Sequence, residues 1–436
     1  MKVIKGKRCV VGDGTVINEA TAIVTDDGRI TRLGPVSEIQ VPPGAQVIDT
    51  GDCTLMPGLM DIHLHLTQPN ALTFANYRAA AFETTPQQQL LYALLHAQMC
   101  MEMGFTTLRD LGGNSYAGHL SAELVALRDA IAAGIHAGPR LVVAGFTIIT
   151  NAHLDLILPG TAPRAPGLTA DGPWELRKLA RTHLRRGVDV LKTCASGGGG
   201  TDKEEPDVRN MTQEELDSIA DEAHAFGKRC ACHAFTPLAQ KMAMRAGTDT
   251  LEHCVFTDDE AIKMMLDVDK ILVPTLAHRS DRAIELRRQV GTPDFVIEKM
   301  KKIQPHTRET FQRLHHAGVR MAMGTDTQID PAMGDNAYEL QIYVEYGMTP
   351  AEAIATATRN AADALGLAAD LGTLTVGKYA DIIAVDGDPL TDIAVLQRKE
   401  RLHLVMKEGR VFVDRRPGYP SKLLIHDENW AWTVAR

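Results

Sequence analysis

The sequence predicts an α/β fold: a (β/α)8 TIM barrel with a small β-sandwich domain formed by the N- and C-terminal segments. Short apolar strands alternate with helical segments from residue 58 to residue 370, whereas residues 1–57 and 371–415 carry strand-like runs separated by turns. Residue types that bind metals follow several of the strands. A chain of 436 residues is also too long for one ordinary core, which favours a barrel with an appendage.

The β-rich unit begins the chain. Residues 1–57 contain short alternating or β-branched runs punctuated by DG, GP, PPG and GD, which are turn signals. The same pattern returns at 371–415, in TLTVGKYADIIAVDGDPL and HLVMKEGRVFVD. A β unit divided between both ends of a chain most simply forms one domain, so we expect the two halves to pair beside the barrel.

The central segment, 58–370, predicts the barrel. Its strand candidates include RLVVAG, DVLKT, RCACHA, KILVPT and RMAMGTD, and MTQEELDSIADEAHAFGK is a typical helical segment between them. Such alternation implies a parallel sheet with helical crossovers, and about eight units close into a barrel. Two helix starts carry a Thr with a Glu three positions on, Thr212 with Glu215 and Thr349 with Glu352, which predicts a capping box at each.

Composition excludes several classes of protein. The net charge of -9 is mild, and Lys and Arg are scattered, so neither nucleic acid nor an anionic membrane surface is an expected partner. No apolar run reaches the length needed to span a bilayer, and MKVIKGKRCVVGDG turns polar too early for a secretion signal. Seven cysteines without regular spacing indicate thiols in a reducing compartment. We expect a cytoplasmic protein that acts on a small molecule.

The last segment, 416–436, resembles neither domain and contains two of the three Trp residues. An arm that packs on a neighbouring subunit and a tail folded on its own chain are both consistent with it. The Trp-bearing tail favours a homo-oligomer.

Six residues end or follow apolar runs and are candidates for a metal centre: His63, His65, Lys192, His233, His253 and Asp326. Because the strands of a parallel barrel end at one face, residues far apart in sequence can meet there. His63 and His65 are two positions apart, so on a strand their side chains point the same way and can bind one cation. Neutral imidazole and carboxylate are zinc-type ligands.

Each candidate alone has a structural explanation, because a lone His near a strand end is commonly a hydrogen-bonded structural residue and Asp before Thr is commonly a turn or cap residue. Their joint occurrence favours an active site. Two cations roughly 3.5–4 Å apart would hold a bridging hydroxide and polarise a carbonyl oxygen. Asp326 would accept the proton of the attacking water and deliver it to the leaving nitrogen. The pattern therefore predicts a hydrolase.

At these residues the sequence resembles the amidohydrolase superfamily over essentially its whole length. The motifs that carry the resemblance are DGRI, VIDTGDCTLMPGLMDIHLHL, LGTLTVGKYADIIAVDGDPLTDI and VMKEGRVF. The resemblance implies two divalent metal ions, most simply zinc, with His63, His65 and Asp326 on one ion and His233 and His253 on the other.

The resemblance also implies that Lys192, carboxylated by CO2, bridges both ions. A protonated ammonium cannot bind a metal, whereas a buried amine of depressed pKa can react with CO2 to give an anionic carbamate. The structural alternative is a partly buried Lys that pairs with an acidic neighbour.

Within the superfamily, the sequence is most similar to the prolidase-like branch, which includes Xaa-Pro dipeptidases and amidases that cleave N-acyl amino acids such as ochratoxin. The segments that carry this similarity include GFTTLRDLGG, LKTCASGGGG, VPTLAH and GDNAYELQIYVEYGMTPAEAIATATRNAADALGL. The expected reaction is hydrolysis of the C–N amide bond of a dipeptide or an N-acyl amino acid. The rival substrates are a carbamate, a thiocarbamate or a phenylurea, which some of the same branch hydrolyses.

Three departures from that branch bear on the substrate. Phe235 stands where Tyr is usual, which removes a hydroxyl that could bind a substrate carboxylate or the oxyanion. His153 is kept, but TNAHL replaces the expected Gly-Gly-His-Gly stretch around it. Cys254 stands where Gly is frequent. We predict Asp326 and His153 as catalytic residues, with His153 and Phe235 also at the substrate.

Four further residues lie in segments expected to cover the barrel mouth, and they are candidates for substrate contact: Tyr77, Arg78, His278 and Asn336. Ordinary loop positions are the alternative explanation.

Two other classes of function fit less well. A deaminase of the superfamily typically uses one metal and a Glu three residues after the His at position 233, but here Ala, Phe and Thr follow and Lys192 would have no task. A non-catalytic assembly protein on the same barrel would be expected to have lost ligands, and all six positions are filled.

Overall fold

The computed structural model describes residues 1–18, 20–24, 27–67, 83–112, 120–153, 168–199, 204–289, 291–327 and 333–425. The N-terminal strands are β1 (Lys2–Lys5), β2 (Arg8–Val10), β3 (Val16–Asn18), β4 (Ala20–Val24), β5 (Ile30–Pro35), β6 (Gln46–Asp49) and β7 (Thr54–Pro57). The barrel strands follow: β8 (Leu59–Leu64), β9 (Phe105–Asp110), β10 (Arg140–Val143), β11 (Thr147–Ile148), β12 (Val190–Cys194), β13 (Arg229–His233), β14 (Thr250–Glu252) and β15 (Ile271–Val273). The chain ends its regular structure with β16 (Ile382–Val385), β17 (Leu402–Lys407) and β18 (Arg410–Asp414).

Helices lie between the barrel strands and after them. They are α1 (Pro86–Glu102), α2 (Leu120–Ala132), α3 (Pro173–Arg185), α4 (Gln213–Ala225), α5 (Pro237–Arg245), α6 (Asp259–Asp267), α7 (Asp281–Gln289), α8 (Asp294–Ala317), α9 (Tyr338–Glu345), α10 (Pro350–Thr356) and α11 (Arg359–Ala364). The short 3-10 turns are Val36–Glu38, Ala277–Arg279, Ile393–Gln397 and Lys399–Arg401.

The barrel strands pair in parallel. β8, β9 and β10 form one run and β11 to β15 another, and the amide of Asp189 joins them by donating to Val143 O at 2.8 Å. β10 and β11 follow each other in the chain and share the third position of the barrel, because β10 pairs with β9 and β11 with β12. Residues 320–327 therefore take the place of the eighth strand. On one side Ala322 N donates to Leu272 O at 2.8 Å, and on the other Ile62 N donates to Met323 O at 3.0 Å. These bonds close the barrel, as the alternation of strands and helices predicts.

Local sequence explains how the barrel units form. β8, β9 and β12 are buried along their whole length, as expected of parallel strands whose faces are both covered. The capping boxes predicted at Thr212 and Thr349 are confirmed, since each Thr exchanges hydrogen bonds with the Glu three positions on. A third box, formed by Thr85 and Gln88, begins α1.

The β-sandwich joins both ends of the chain. One sheet has four strands in the order β5-β4-β1-β6, and the other has six in the order β18-β17-β16-β7-β2-β3. β7 from the N-terminal part pairs antiparallel with β16 from the C-terminal part, with Pro57 opposite Ile382. The shared core also draws on both ends, with Ile4 and Leu55 packed in the same cluster as Met406. The predicted fold class is therefore confirmed.

The beginning of the C-terminal tail packs on its own chain. Asp414 and Lys422 form an antiparallel bridge, and the amides of Leu424 and Ile425 donate to buried Glu102 at 2.6 and 2.9 Å. Residues 426–436, which include both tail Trp residues, lie outside the described residues.

Within the described part of the chain, no helix is both long enough and apolar enough to cross a bilayer. All seven cysteines are buried and free.

Closure of the barrel requires a residue without a side chain at position 324, because the neighbouring strands approach it closely. A Cβ on Gly324 would lie 2.5 Å from Val273 Cγ1 and 2.6 Å from His63 Cβ. We expect Gly324→Ala to lower the free energy of unfolding by about 1–3 kcal/mol in urea denaturation, because both neighbours belong to packed strands.

Gly34→Ala is the matched control. A Cβ there meets only the Ile39 side chain, at 3.6 Å, which is ordinary contact. This variant should stay within about 0.5 kcal/mol of the parent. Equal stability of the two variants would show that the close approach at Gly324 can relax.

Candidate metal centre

The ends of the barrel strands bring three ligand residues together. His63 lies in β8, His65 follows it, and Asp326 lies in the eighth-strand segment hydrogen-bonded to β8 through Asp326 N and His63 O at 2.7 Å. Asp326 Oδ1 is 3.1 Å from His65 Nε2 and 3.6 Å from His63 Nε2. One ligand atom from each residue lies within 4.8 Å of the others. This spacing is suitable for a single cation.

A second pair of histidines lies beside the first group. The ring centroids of His233 and His253 are 4.6 Å apart, and His253 is 4.9 Å from His63. His253 Nδ1 is 3.9 Å from Asp326 Oδ2. The structure therefore brings five of the six predicted ligands into one continuous cluster.

Lys192, the sixth predicted ligand, points into the same place. It lies in β12 and is only 3% exposed, and its Nζ has no hydrogen-bond partner among the described residues. Lys192 is opposite Ala231, two positions before His233 on the neighbouring strand β13, and its charge opposes protonation of both His63 and His233. A buried ammonium without a partner is strongly unfavourable. This amine and the surrounding nitrogen and oxygen donors fit a binuclear centre with a carboxylated lysine.

Hydrogen bonds select which ring nitrogen of each histidine faces the centre. His65 Nδ1 donates to Gly112 O, and His63 Nδ1 donates to Glu252 Oε2 at 2.6 Å, which leaves Nε2 of both rings available. His233 donates through Nε2 to Gly197 O at 2.9 Å, which leaves Nδ1. Such partners fix ring orientation and tautomer at metal sites.

Burial keeps most of the rings neutral, as ligands must be. It lowers the pKa of His63 to about 4 and holds the pKa of His233 and His253 well below the usual value of 6.5. Burial acts on His65 in the same direction, but its hydrogen bond with Asp326 outweighs this and raises its pKa.

The backbone is strained at the strand ends that carry these groups. His253, Thr275 and Asp326 have φ values of 73°, 54° and 55°, in the left-handed region that side chains other than glycine rarely adopt. Thr275 is β-branched, and its Oγ1 lies 2.7 Å from His253 Nδ1. Such strain clusters at functional sites, where the surrounding fold maintains it.

Two buried carboxylates support the ligands, and the sequence analysis missed both. Glu252 contacts His63 Nδ1 through Oε2 and Arg109 Nη2 through Oε1 at 2.9 Å. Burial would raise its pKa, but Arg109 and His63 overcome that effect and lower it to about 2. Asp61 Oδ1 accepts from His63 N at 3.1 Å and Oδ2 from Thr325 Oγ1 at 2.7 Å.

Strand period two offers a sequence signal for one of these carboxylates. Asp61 stands two positions before His63, and Glu252 stands two positions after Thr250, whose Oγ1 contacts the Glu252 carboxylate at 2.5 Å. Asp61 is therefore on the strand face of His63 that leads to the centre, whereas Glu252, directly before His253, has no such relation to a ligand on its own strand.

Three of the residues predicted to contact substrate, His153, Phe235 and His278, have different neighbours in the structure. His153 Nδ1 lies 2.7 Å from Glu204 Oε1 and 2.6 Å from Asn210 Nδ2. The ring of Phe235 stacks on His233 at 4.4 Å. His278 Nε2 lies 3.8 Å from Asp326 Oδ2. Phe235 and His278 therefore lie beside predicted ligands, and His153 is held by Glu204 and Asn210.

Asn336 is buried, and its amide donates to Asp61 Oδ2 at 2.7 Å while its oxygen accepts from Cys100 Sγ at 3.3 Å. Its amide and its oxygen therefore both have protein partners, and its contact with substrate stays a prediction. Tyr77 and Arg78 lie outside the described residues.

Comparison with known proteins agrees with this geometry. The amidohydrolase family model matches residues 54–412. The chain is 31% identical to ochratoxinase of Aspergillus niger over 431 residues, which cover 92% of this chain and 85% of that protein. The solved structure of that ochratoxinase has a TM-score of 0.81 at 29% identity and covers 96% of each chain.

Two further solved structures are similar. A Xaa-Pro dipeptidase with methionine bound in its active site has a TM-score of 0.84 at 29% identity, covering 94% of this chain and 99% of its own. Molinate hydrolase has a TM-score of 0.78 at 25% identity, covering 98% of each chain. The resemblance read from the sequence motifs is confirmed. The chain belongs to the amidohydrolase family and is a hydrolase of carbon–nitrogen bonds.

Proposed function

We propose that this protein is a binuclear metal-dependent amidohydrolase that cleaves the C–N amide bond of a dipeptide or an N-acyl amino acid. The observation that carries the proposal is the convergence of His63, His65 and Asp326 beside the His233–His253 pair, with the unpartnered amine of Lys192 near both groups. The similarity to ochratoxinase and to a Xaa-Pro dipeptidase supports this choice of substrate class.

The residues divide between two cation positions. His63, His65 and Asp326 would hold one cation, and His233 and His253 the other, with Lys192 joining them as a carbamate. Zinc suits this set of imidazole and carboxylate donors. When bound, two such cations activate water at neutral pH and polarise the substrate carbonyl.

The protein's own groups would move the proton and orient the substrate. Asp326 is buried among the ligands, so its carboxylate can accept the proton of the attacking water and return it to the leaving nitrogen. The side-chain amide of Asn210 donates to His153 Nδ1 at 2.6 Å, which places the proton of the neutral ring on Nε2. This leaves Nε2 to donate to the carbonyl oxygen as negative charge develops there.

The rival substrates keep the same site. Phe235 presents an apolar ring where a tyrosine hydroxyl is usual, which suits a neutral carbamate, thiocarbamate or phenylurea. The similarity to molinate hydrolase supports this alternative.

A substrate panel separates the two. Zinc-loaded protein is incubated with dipeptides, N-acyl amino acids, aryl carbamates and phenylureas, and amine release is measured with a chelator-treated control. We expect chelator-sensitive cleavage of substrates that carry a free carboxylate. Cleavage confined to carbamates or ureas would establish the rival, and cleavage that survives complete metal removal would overturn the metal-dependent proposal.

Two variants distinguish the bridging group from the proton-transfer group. We expect Lys192→Ala to lose bound zinc together with activity, because the bridge is gone. Asp326→Asn should keep most of the zinc, since an amide oxygen remains, and lose hydrolysis by about 10²–10⁴-fold. Zinc content by elemental analysis and amine release are measured on both.

Lys263→Ala, which removes an exposed lysine paired with Asp267, is the control and should match the parent. The carbamate itself is checked by 13C NMR after incubation with labelled bicarbonate. A zinc-replete, fully active Lys192→Ala enzyme would exclude the bridging role.

The support of His63 by Glu252 gives another prediction. Glu252→Gln removes the charge that holds both His63 Nδ1–H and Arg109, and we expect zinc affinity to fall about 10–100-fold. Affinity is measured by competition with a chelating dye. Glu260→Gln, an exposed change on α6, should leave affinity unaltered. Unchanged affinity in Glu252→Gln would show that the carboxylate is not needed to orient the ring.

A further inference from the structure

Four arginines are buried among the described residues: Arg109, Arg279, Arg287 and Arg416. They differ in whether a carboxylate lies within ion-pair distance. Arg109 pairs with Glu252 at 2.9 Å, and Arg416 pairs with Asp414 at 2.8 Å. Within the described ranges, Arg279 and Arg287 have no carboxylate within ion-pair distance, although they are only 5% and 1% exposed. Two buried guanidinium groups without an ion-paired carboxylate require an explanation, because burial of an unpaired charge is strongly unfavourable.

Arg279 is anchored beside the metal centre. It ends the 3-10 turn that follows β15, and its Nη1 donates to Thr275 O at 3.0 Å and to Thr275 Oγ1 at 3.1 Å. The same Oγ1 is the partner of His253 Nδ1 at 2.7 Å. The guanidinium is therefore held by the residue that also orients one of the candidate ligands.

The face of Phe235 supports the other side of the guanidinium. Arg279 Cζ lies 4.9 Å from the ring centroid, within the range of a cation–π contact. That ring is 4.4 Å from the His233 ring and 5.1 Å from the His253 ring. Phe235 lacks the hydroxyl that would recognise a carboxylate. Its ring lies between the guanidinium of Arg279 and the imidazole rings of His233 and His253, which are proposed metal ligands.

Arg287 adds a second positive charge next to the first. Its Nη2 donates to His278 Nδ1 at 2.9 Å, and its Nε has no hydrogen-bond partner among the described residues. His278 Nε2 faces Asp326 Oδ2 at 3.8 Å. The arginine therefore fixes the tautomer of a ring at the barrel mouth, since a guanidinium can only donate.

The nearby acids are already occupied. Asp326 belongs to the metal centre. Glu339 accepts from the amides of Leu276 and Ala277 at 2.7 and 2.5 Å. Burial lowers the pKa of Arg279 to about 10, which leaves it charged at neutral pH. Neither acid forms an ion pair with Arg279 within the described ranges, so the guanidinium can take an anionic ligand as its partner.

We propose that Arg279, reinforced by Arg287, binds the free carboxylate of the substrate and so makes the enzyme selective for C-terminally unblocked dipeptides or N-acyl amino acids. The inference rests on the proposed function and sharpens it. A planar guanidinium suits a carboxylate because it offers two parallel N–H donors. In this chain the arginine takes the recognition role that the missing tyrosine hydroxyl could have filled.

The test compares an acid with its uncharged analogue. N-benzoyl-L-phenylalanine and its C-terminal carboxamide are the substrates, and benzoate release is measured with zinc-loaded protein. Binding of L-phenylalanine and of L-phenylalaninamide is measured separately by calorimetry. We expect Arg279→Met to lower kcat/KM for the acid about 10–100-fold and for the carboxamide less than about 3-fold, with a matching loss in L-phenylalanine affinity.

Two further variants provide controls. Arg279→Lys keeps the charge without the paired donors and should recover part of the loss. Arg288→Met removes an arginine on α7 that contacts Glu285 at 3.6 Å on the surface, and it should behave as the parent. Zinc content is measured in every variant, so that a damaged metal centre is not mistaken for lost recognition.

Binding of L-phenylalanine tests the carboxylate site, and release of benzoate tests the proposed reaction, so the two proposals can fail separately. Equal losses for acid and carboxamide in Arg279→Met would overturn the inference and indicate a structural role. L-phenylalanine affinity that is the same in the parent and in Arg279→Met would overturn it whether or not hydrolysis is seen. If neither substrate is cleaved but L-phenylalanine binding depends on Arg279, the carboxylate site stands and the proposed reaction fails.

Discussion

The buried contact between Arg109, Glu252 and His63 is the interaction on which the candidate metal centre depends. It joins β9, β14 and β8 inside the barrel, with Glu252 accepting from both neighbours at 2.9 and 2.6 Å. Removing any one partner would leave a charge or a polar group buried without compensation. The contact therefore fixes strand positions and, at the same time, the tautomer of a ligand. The same contact therefore stabilises the barrel and orients His63.

Closure of the barrel imposes the second constraint. The eighth-strand segment approaches β8 so closely that position 324 must be glycine, and two positions later Asp326 takes a left-handed conformation with φ of 55°. The hydrogen bond from Asp326 N to His63 O holds this conformation at 2.7 Å. The proton transfer proposed for Asp326 needs a fixed carboxylate, and the closed barrel supplies it.

Much of this arrangement is predictable from sequence. Helix starts are local events, so the boxes at Thr212 and Thr349 follow from residues three positions apart. The two-residue spacing of His63 and His65 likewise predicts a shared direction on one strand. The supporting acids were not predicted, because Glu252 and Asp61 acquire their role only through partners far along the chain. The hydrogen bond between Asn336 and Asp61 was not predictable for the same reason, since the two residues are 275 positions apart in the chain.

Sequence alone determined the fold class, the family and the residue types at the strand ends, because strand period, capping and motif spacing are short-range properties. Tertiary structure alone decided which groups meet: the unpartnered amine of Lys192 near the ring of His233, and the guanidinium of Arg279 over the face of Phe235. These contacts join residues on different strands and loops. Burial and electrostatic environment arise from such long-range neighbours, and they decide whether a polar side chain is a ligand, a support or a substrate contact.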